Sequence, residues 1–223
     1  MKYYCPILLL IAFGVLQQTN GHGMMLNPAG RSSRWRDDSS APTNYDDNAL
    51  YCGGLWKLVE NKACGLCGDD YSMSVPRPNE LGGTYGQGKI VRSYYASGFV
   101  YVNVLITVNH LGYFKFELCN LDEFGSESEE CFQKNPLEFL NGSNKYEIGE
   151  RRGEIPVAIK LTEGLVCKHC VLRWTYTAGN NWGADQETFK NCADISILGS
   201  ARSVIDNSVQ AELPVEVQEA AEA

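Results

Sequence analysis

The sequence predicts an all-β protein in which one antiparallel β-sandwich forms a single domain. The stretch FVYVNVLITV, residues 99–108, alternates aliphatic residues with a second set, the period-two pattern of a strand with one buried face. Four later stretches, GYFKFELC, IPVAIKL, CVLRWTYT and ADISIL, are rich in β-branched and aromatic residues and are separated by turn residues. Several strands at this spacing, without helical stretches or an internal repeat, are typical of such a sandwich.

The first element of the chain is an apolar leader, residues 1–21. One lysine precedes the run PILLLIAFGVL, and Thr19 and Gly21 occupy the small-residue positions of a signal-peptide cleavage site. The apolar run is roughly 11 residues long, whereas a membrane span needs about 20, and no later segment is long and apolar enough. We therefore expect a secreted, extracellular protein with no membrane span, whose mature chain begins at His22.

Residues 22–199 are expected to form the folded domain. Up to about residue 88 this region is rich in Gly, Pro, Asn, Asp and Ser, with a short helix expected around YCGGLWKLV. The sequon that begins at Asn141 is a candidate glycosylation site. Residues 200–223 are acidic and lack aromatic residues, which predicts a disordered tail.

The cysteines predict a disulfide framework. Of the nine cysteines only Cys5 lies in the leader. An even number in an exported chain indicates disulfides, although their pairing is not readable from the sequence. The motifs CGLC and CKHC could instead form a zinc site or a redox dithiol, but they lie far apart in the chain, which favours structural disulfides. The eight remaining cysteines are Cys52, Cys64, Cys67, Cys119, Cys131, Cys167, Cys170 and Cys192.

The charge of the chain limits its partners. The formal net charge is −8, and the leader contributes one lysine and no acidic residue, so the mature chain is more negative still. An acidic surface argues against nucleic acid or anionic membranes as partners and is compatible with a neutral substrate. We expect a monomer.

Three histidines are the candidate metal ligands. An α-amine and an imidazole have ordinary pKa values of about 7.7–8.0 and about 6.5, so a chain that begins at His22 offers two neutral nitrogen donors near neutral pH. His110 follows the strand at 99–108 and could supply a third nitrogen, a donor set that suits copper. The alternative for a lone histidine is a surface or hydrogen-bonded residue, and we assign that role to His169, between the cysteines of CKHC.

A set of motifs spread over residues 22–198 resembles one family. The motifs are HGMMLNPAGRSSRW, NALYCGG, CGLCGD, VNHLGYFKFELC, CVLRWTYTAGNNWG and ETFKNCADI, in this order. Together they resemble the lytic polysaccharide monooxygenases of auxiliary-activity family fifteen, which is found widely in animals. The resemblance implies an immunoglobulin- or fibronectin-like β-sandwich with a flat face that carries one copper ion.

The resemblance also implies a copper site called a histidine brace. His22 would bind through its amine and Nδ1, and His110 through the far ring nitrogen. Phe189 would lie on the axial side, where some relatives have tyrosine, so that position lacks a phenolic oxygen. Val108 would flank the axial side, and Gln186 or Glu187 would orient the oxygen species.

The implied activity is oxidation at C1 or C4 of a glycosidic linkage in insoluble chitin or cellulose, with chitin favoured. It needs an external electron donor and O₂ or H₂O₂, and it does not need the paired carboxylates of a hydrolase. Trp35, Tyr45 and Trp182 are candidate contacts with the polysaccharide. The alternatives are a non-catalytic secreted protein that binds polysaccharide or copper, and an extracellular interaction domain without metal.

Overall fold

The computed structural model describes residues 22–181, 183 and 185–199, and the predicted leader and tail lie outside this range. Strands account for 38% of the described residues and helices for 11%, so the prediction of a mostly β protein is confirmed. The described strands are β1 (His22–Asn27), β2 (Arg92–Tyr95), β3 (Phe99–Val108), β4 (Tyr113–Asn120), β5 (Pro136–Phe139), β6 (Tyr146–Glu147), β7 (Gly153–Lys160), β8 (Cys167–Thr177) and β9 (Thr188–Leu198). The helices are α1 (Leu55–Asn61), α2 (Leu121–Phe124) and α3 (Glu129–Lys134), with a 3-10 turn at Arg34–Arg36.

The strands form one curled sheet in the order β1-β3-β7-β5-β4-β8-β9-β2, with β6 paired to β4. β5 pairs with β7 on one side and with β4 on the other, so it joins the two halves of the sheet. The immunoglobulin-like form of the prediction is therefore not confirmed.

The expectation of purely antiparallel pairing is wrong at one position. β2 pairs with β9 in parallel, from Arg92 opposite Ile195 to Tyr95 opposite Leu198. Parallel neighbours need a long connection between them, and every strand from β3 to β8 lies between these two in the chain. Such a pairing of distant segments leaves no signal in the local pattern of either strand.

The core follows the alternation read from the sequence. Val100, Val102, Val104 and Ile106 of β3 are fully buried, while the intervening residues point outward. Each aliphatic side chain buried in this way stabilises the fold by roughly 1.5–3 kcal/mol. The five segments predicted as strands correspond to β3, β4, β7, β8 and β9.

All eight cysteines of the domain form disulfides, as predicted. CGLC is not a dithiol, because its two cysteines have different partners, whereas CKHC closes on itself. The bridge Cys67–Cys192 attaches the irregular segment 28–91 to β9, and closing so long a loop stabilises the fold by about 5 kcal/mol in the chain-entropy treatment. The pairs are Cys52–Cys64, Cys67–Cys192, Cys119–Cys131 and Cys167–Cys170.

The candidate site lies at one end of the sheet. The start of β1, the end of β3, the start of β4, the end of β8 and the start of β9 meet there, as the pairings His22 with Val108 and Thr177 with both Tyr113 and Thr188 show. Within the described residues, no helix has the length and hydropathy needed to cross a membrane.

Candidate metal centre

His22 and His110 lie at the same end of the sheet. β1 runs antiparallel to β3, and its register places His22 opposite Val108, two residues before His110. Two residues of a strand span about 7 Å. His22 is half-buried, and its carbonyl oxygen accepts a hydrogen bond from Thr107 Oγ1 at 3.3 Å. The strand register thus brings together the two histidines that the sequence predicts as ligands.

The backbone of His110 is fixed by the end of β8 and by the loop that follows it. Its N–H donates to the Tyr176 hydroxyl at 2.9 Å, and its carbonyl accepts from Gly179 N–H at 2.8 Å. The turn that follows is tight, because a Cβ at Gly112 would lie 2.0 Å from the carbonyl oxygen of Thr177. Gly112 also has a φ of +82°, so the segment NHLGY requires glycine at this position.

The ring of His110 contacts a buried carboxylate. Nδ1 lies 2.6 Å from Glu187 Oε2, and both residues are 8% exposed. A carboxylate can only accept, so Nδ1 carries the proton of this bond and the lone pair of His110 is on Nε2. The Glu187 main chain is fixed as well, since its carbonyl accepts from Ala178 N–H at 2.9 Å.

Phe189 is fully buried among aromatic rings beside the histidines. Its ring stacks on Tyr176 at 5.4 Å between centroids and lies 6.2 Å from Tyr51, whose ring is 6.4 Å from that of His22. Burial raises the pKa of the Tyr176 hydroxyl to about 12, and the Glu187 carboxylate acts in the same direction. The Tyr176 phenol is therefore neutral at physiological pH.

Two residues beside this cluster were missed by the sequence analysis. Tyr176 could have been found, because it falls on the inward face of the predicted strand CVLRWTYT. Tyr51 lies in the irregular segment, where no periodicity indicates which side chains point toward His22.

The other predicted site residues differ in their contacts. Val108 is half-buried opposite His22. The Gln186 side chain holds its own loop, because Nε2 donates to the carbonyls of Asn181 at 3.1 Å and Gly183 at 2.9 Å. Trp182 lies outside the described residues.

The two remaining aromatic candidates, Trp35 and Tyr45, lie against each other. Their rings meet edge to face at 5.5 Å, and Tyr45 is 86% exposed. Trp35 is half-buried, and its Nε1 donates to the buried Asp47 Oδ2 at 2.9 Å. Trp35 therefore packs against the exposed ring of Tyr45 and is not an isolated aromatic side chain on the surface.

The candidate metal ligands at this end of the sheet are the nitrogens of His22 and His110. Among the described residues no group of three or more His, Cys, Asp and Glu side chains could hold a metal ion. The zinc alternative fails because every cysteine of CGLC and CKHC is in a disulfide. His169 lies elsewhere, with Nε2 2.8 Å from Asp194 Oδ1, in agreement with the structural role expected for it.

Comparison with known families covers nearly the whole described domain. Residues 22–195 match the family described as "Lytic polysaccharide mono-oxygenase, cellulose-degrading". The chain belongs to the lytic polysaccharide monooxygenases. The match begins at His22 and includes His110, Glu187 and Phe189. No curated protein matches the chain.

Among solved structures, this lytic polysaccharide monooxygenase is similar to an AA15 enzyme from Thermobia domestica in the Cu(I) state. The two are 40% identical, the likeness covers 79% of this chain and 98% of that one, and the TM-score is 0.76. The predicted resemblance to family fifteen is thereby confirmed. A cellulose-active enzyme, CelS2, in complex with copper is 13% identical over 80% and 100% of the two chains, with a TM-score of 0.42. An enzyme from Kitasatospora papulosa is 20% identical over 79% and 98%, with a TM-score of 0.39.

Proposed function

We propose that this lytic polysaccharide monooxygenase is a secreted copper enzyme that cleaves insoluble chitin or cellulose by oxidation. The observation that carries the proposal is the β1–β3 register, which places His22 opposite Val108, two residues before His110. Because Nδ1 of His110 contacts Glu187, Nε2 is the ring nitrogen left to bind a metal. The amine and Nδ1 of His22 and Nε2 of His110 would hold the metal. Imidazole and amine nitrogens are ligands that copper prefers, so the residues present fit the ion.

The described residues prepare this site in three ways. Thr107 Oγ1 donates to the carbonyl of His22, and Gly23 N–H donates to Asn48 O at 3.0 Å, so the start of β1 is held from both sides. The contacts of His110 fix its main chain. The ring of Phe189 is fully buried against Tyr176, and we propose that it would exclude water from the axial side of the site. When bound, copper supplies the oxidation chemistry, with O₂ or H₂O₂ as cosubstrate and an external electron donor.

The site is completed by processing of the chain. The amine of His22 is part of a peptide bond until the chain is cut between Gly21 and His22. We propose that removal of residues 1–21 as a signal peptide both exports the protein and creates the third nitrogen donor. The sequon at Asn141 is compatible with glycosylation during export, since this residue is exposed in the turn after β5.

The polysaccharide is proposed to lie across the end of the sheet that carries the histidines. Tyr45, supported by Trp35, is an exposed ring on which a sugar could stack, and Trp182 is kept as a candidate contact. The family description refers to cellulose, whereas the resemblance to family fifteen favours chitin, so both are proposed substrates.

The test uses the chain that begins at His22, loaded with copper, with a reductant and O₂ or H₂O₂. Chitin and cellulose are incubated separately, and we expect oxidised oligosaccharides from at least one of them by mass spectrometry. The matched variants are His110→Ala, which should abolish these products, and His169→Ala, which should retain them. If copper is bound but neither polysaccharide gives oxidised products, the proposed catalytic activity is contradicted and a non-catalytic binding protein is favoured.

A further inference from the structure

We infer that Glu187 is a positioning residue, which holds the ring of His110 with Nε2 as the metal-binding nitrogen. The inference rests on the proposed function, since it concerns the same site. Gln186 or Glu187 is expected from the family resemblance to orient the oxygen species, and that expectation stays a prediction. In the structure the Glu187 carboxylate contacts Nδ1 of the His110 ring.

The contact between the two side chains is short and buried. Nδ1 and Oε2 are 2.6 Å apart, and each residue is only 8% exposed. A hydrogen bond to a charged group is roughly twice as strong as a neutral one, and a buried carboxylate without a partner is strongly unfavourable. The bond therefore favours one ring orientation and one tautomer of His110.

The main chain of His110 does not depend on Glu187. The Tyr176 hydroxyl and the Gly179 N–H hold the backbone N–H and carbonyl of His110 separately. These main-chain contacts leave two features of His110 undetermined: the orientation of its ring and the ring nitrogen that carries the proton. The hydrogen bond with Glu187 favours one state of each. Removal of the carboxylate should therefore change the ring without displacing the turn.

Position 187 is suited to this role because its own backbone is anchored. The Glu187 carbonyl accepts from Ala178 N–H at 2.9 Å, immediately before the start of β9. Histidines that bind metals commonly donate their second ring N–H to a carboxylate, and loss of that partner typically weakens metal binding by about 10–100-fold.

The first experiment needs no metal. Nuclear magnetic resonance of the metal-free chain beginning at His22, labelled with ¹⁵N in histidine, reports which ring nitrogen of His110 carries the proton. We expect the proton on Nδ1 in the wild type, and loss of that preference in Glu187→Ala. A wild-type proton on Nε2, or an unchanged preference in Glu187→Ala, would overturn the inference.

The second experiment measures Cu(II) affinity by calorimetry and the nitrogen coupling by electron paramagnetic resonance. Glu187→Ala should bind Cu(II) about 10–100-fold more weakly with an altered spectrum. Glu187→Gln should lie between this variant and the wild type, because its amide oxygen can still accept from Nδ1. The control is Glu154→Ala, whose carboxylate accepts from Asn103 Nδ2 at 2.6 Å on the exposed side of the sheet, and which should be unchanged.

The outcomes separate this inference from the proposed function. A wild-type chain that binds no copper would overturn the proposed function. A wild-type chain that binds copper, with the same affinity and spectrum in Glu187→Ala, would overturn the positioning role alone. If Glu187→Ala does not fold, the Glu187→Gln variant, which keeps the side-chain volume, decides by the same measurements.

Discussion

At the scale of single residues, His22 carries more of the proposed chemistry than any other side chain. It supplies two donors from one residue, so binding through both needs little further ordering of the chain. The register of β1 against β3 then determines how close these donors lie to His110. A histidine at the second position of a chain would have no free α-amine, because its backbone nitrogen is part of a peptide bond.

The first prediction concerns the cut that frees this amine. A chain that begins at His22 with its α-amine acetylated should bind Cu(II) about 100-fold more weakly than the unmodified chain, a loss of about 2.7 kcal/mol, because one chelating nitrogen is replaced by an amide. Calorimetric titration of the two chains measures the difference. Thermal unfolding of the metal-free proteins serves as the control and should agree between them. Equal affinities would mean that the amine of His22 is not a ligand.

A second prediction concerns the turn after His110. Gly112→Ala should lower the free energy of unfolding by about 2–4 kcal/mol, because the added Cβ must displace the backbone of β8. Copper affinity should fall too, since the displaced turn carries His110. The matched control is Gly142→Ala, which has a φ of +78° with nothing within 4 Å, so its cost should be only about 1 kcal/mol. Chemical denaturation compares the variants, and equal losses would contradict the close packing at Gly112.

At the scale of the elements, a buried ion pair attaches the segment after β1 to β9. Arg31 donates from Nε and Nη2 to the two carboxylate oxygens of Asp194, at 2.8 and 2.6 Å, and its backbone N–H donates to Cys192 O at 2.7 Å. Burial alone raises the pKa of Asp194, but Arg31 and His169 outweigh it and hold that pKa below its ordinary value. The pair therefore stabilises the ionised carboxylate in the folded protein.

The third prediction follows from this pKa. Since the folded value lies below the unfolded one, the contribution of Asp194 to stability is complete above about pH 5 and is lost as the pH falls through the folded pKa. Asp194→Asn should lower the free energy of unfolding at neutral pH by up to about 3–5 kcal/mol, because the buried Arg31 loses one of its two carboxylate partners and keeps only Glu127, at 2.5 Å. The difference from the wild type should shrink on acidification.

Chemical denaturation over a pH series measures this effect. Glu123→Gln is the control, because the ion pair of Glu123 with Lys134 is exposed on both sides and should contribute little. A difference between the wild type and Asp194→Asn that does not depend on pH would show that the carboxylate contributes through its shape and not through its charge.

At the scale of the whole molecule, the curled sheet and the disulfides determine where the candidate site forms. β5 joins the two halves of the sheet, and Cys67–Cys192 attaches the irregular segment 28–91 to β9. Near this bridge, Cys52 N–H donates to Gly68 O, and Lys190 N–H donates to Leu50 O. The loop that carries Tyr51 is thus held beside His22 and Phe189 by contacts with distant parts of the chain.

Local pattern was enough to predict the longer strands. β3 and β7 alternate clearly between buried and more exposed side chains over much of their length, and such a period is a property of consecutive residues. The strands β1, β2, β5 and β6 were not predicted, because two to six residues are too few to show a period. The helices α2 and α3 were missed for the same reason, although Asn120 and Ser128 cap them with side-chain hydrogen bonds.

The sequence by itself determined the types of group available: eight cysteines beyond the predicted leader, strands with one buried face, and the histidines His22 and His110 beside strand ends. These follow from residue identity and near neighbours. Only the tertiary structure decided which cysteines pair, that β2 lies parallel to β9, and that Glu187 contacts Nδ1 of His110. His110 and Glu187 are 77 residues apart and Cys67 and Cys192 are 125 apart. Contacts at such separations depend on how the whole sheet closes, which no local pattern records.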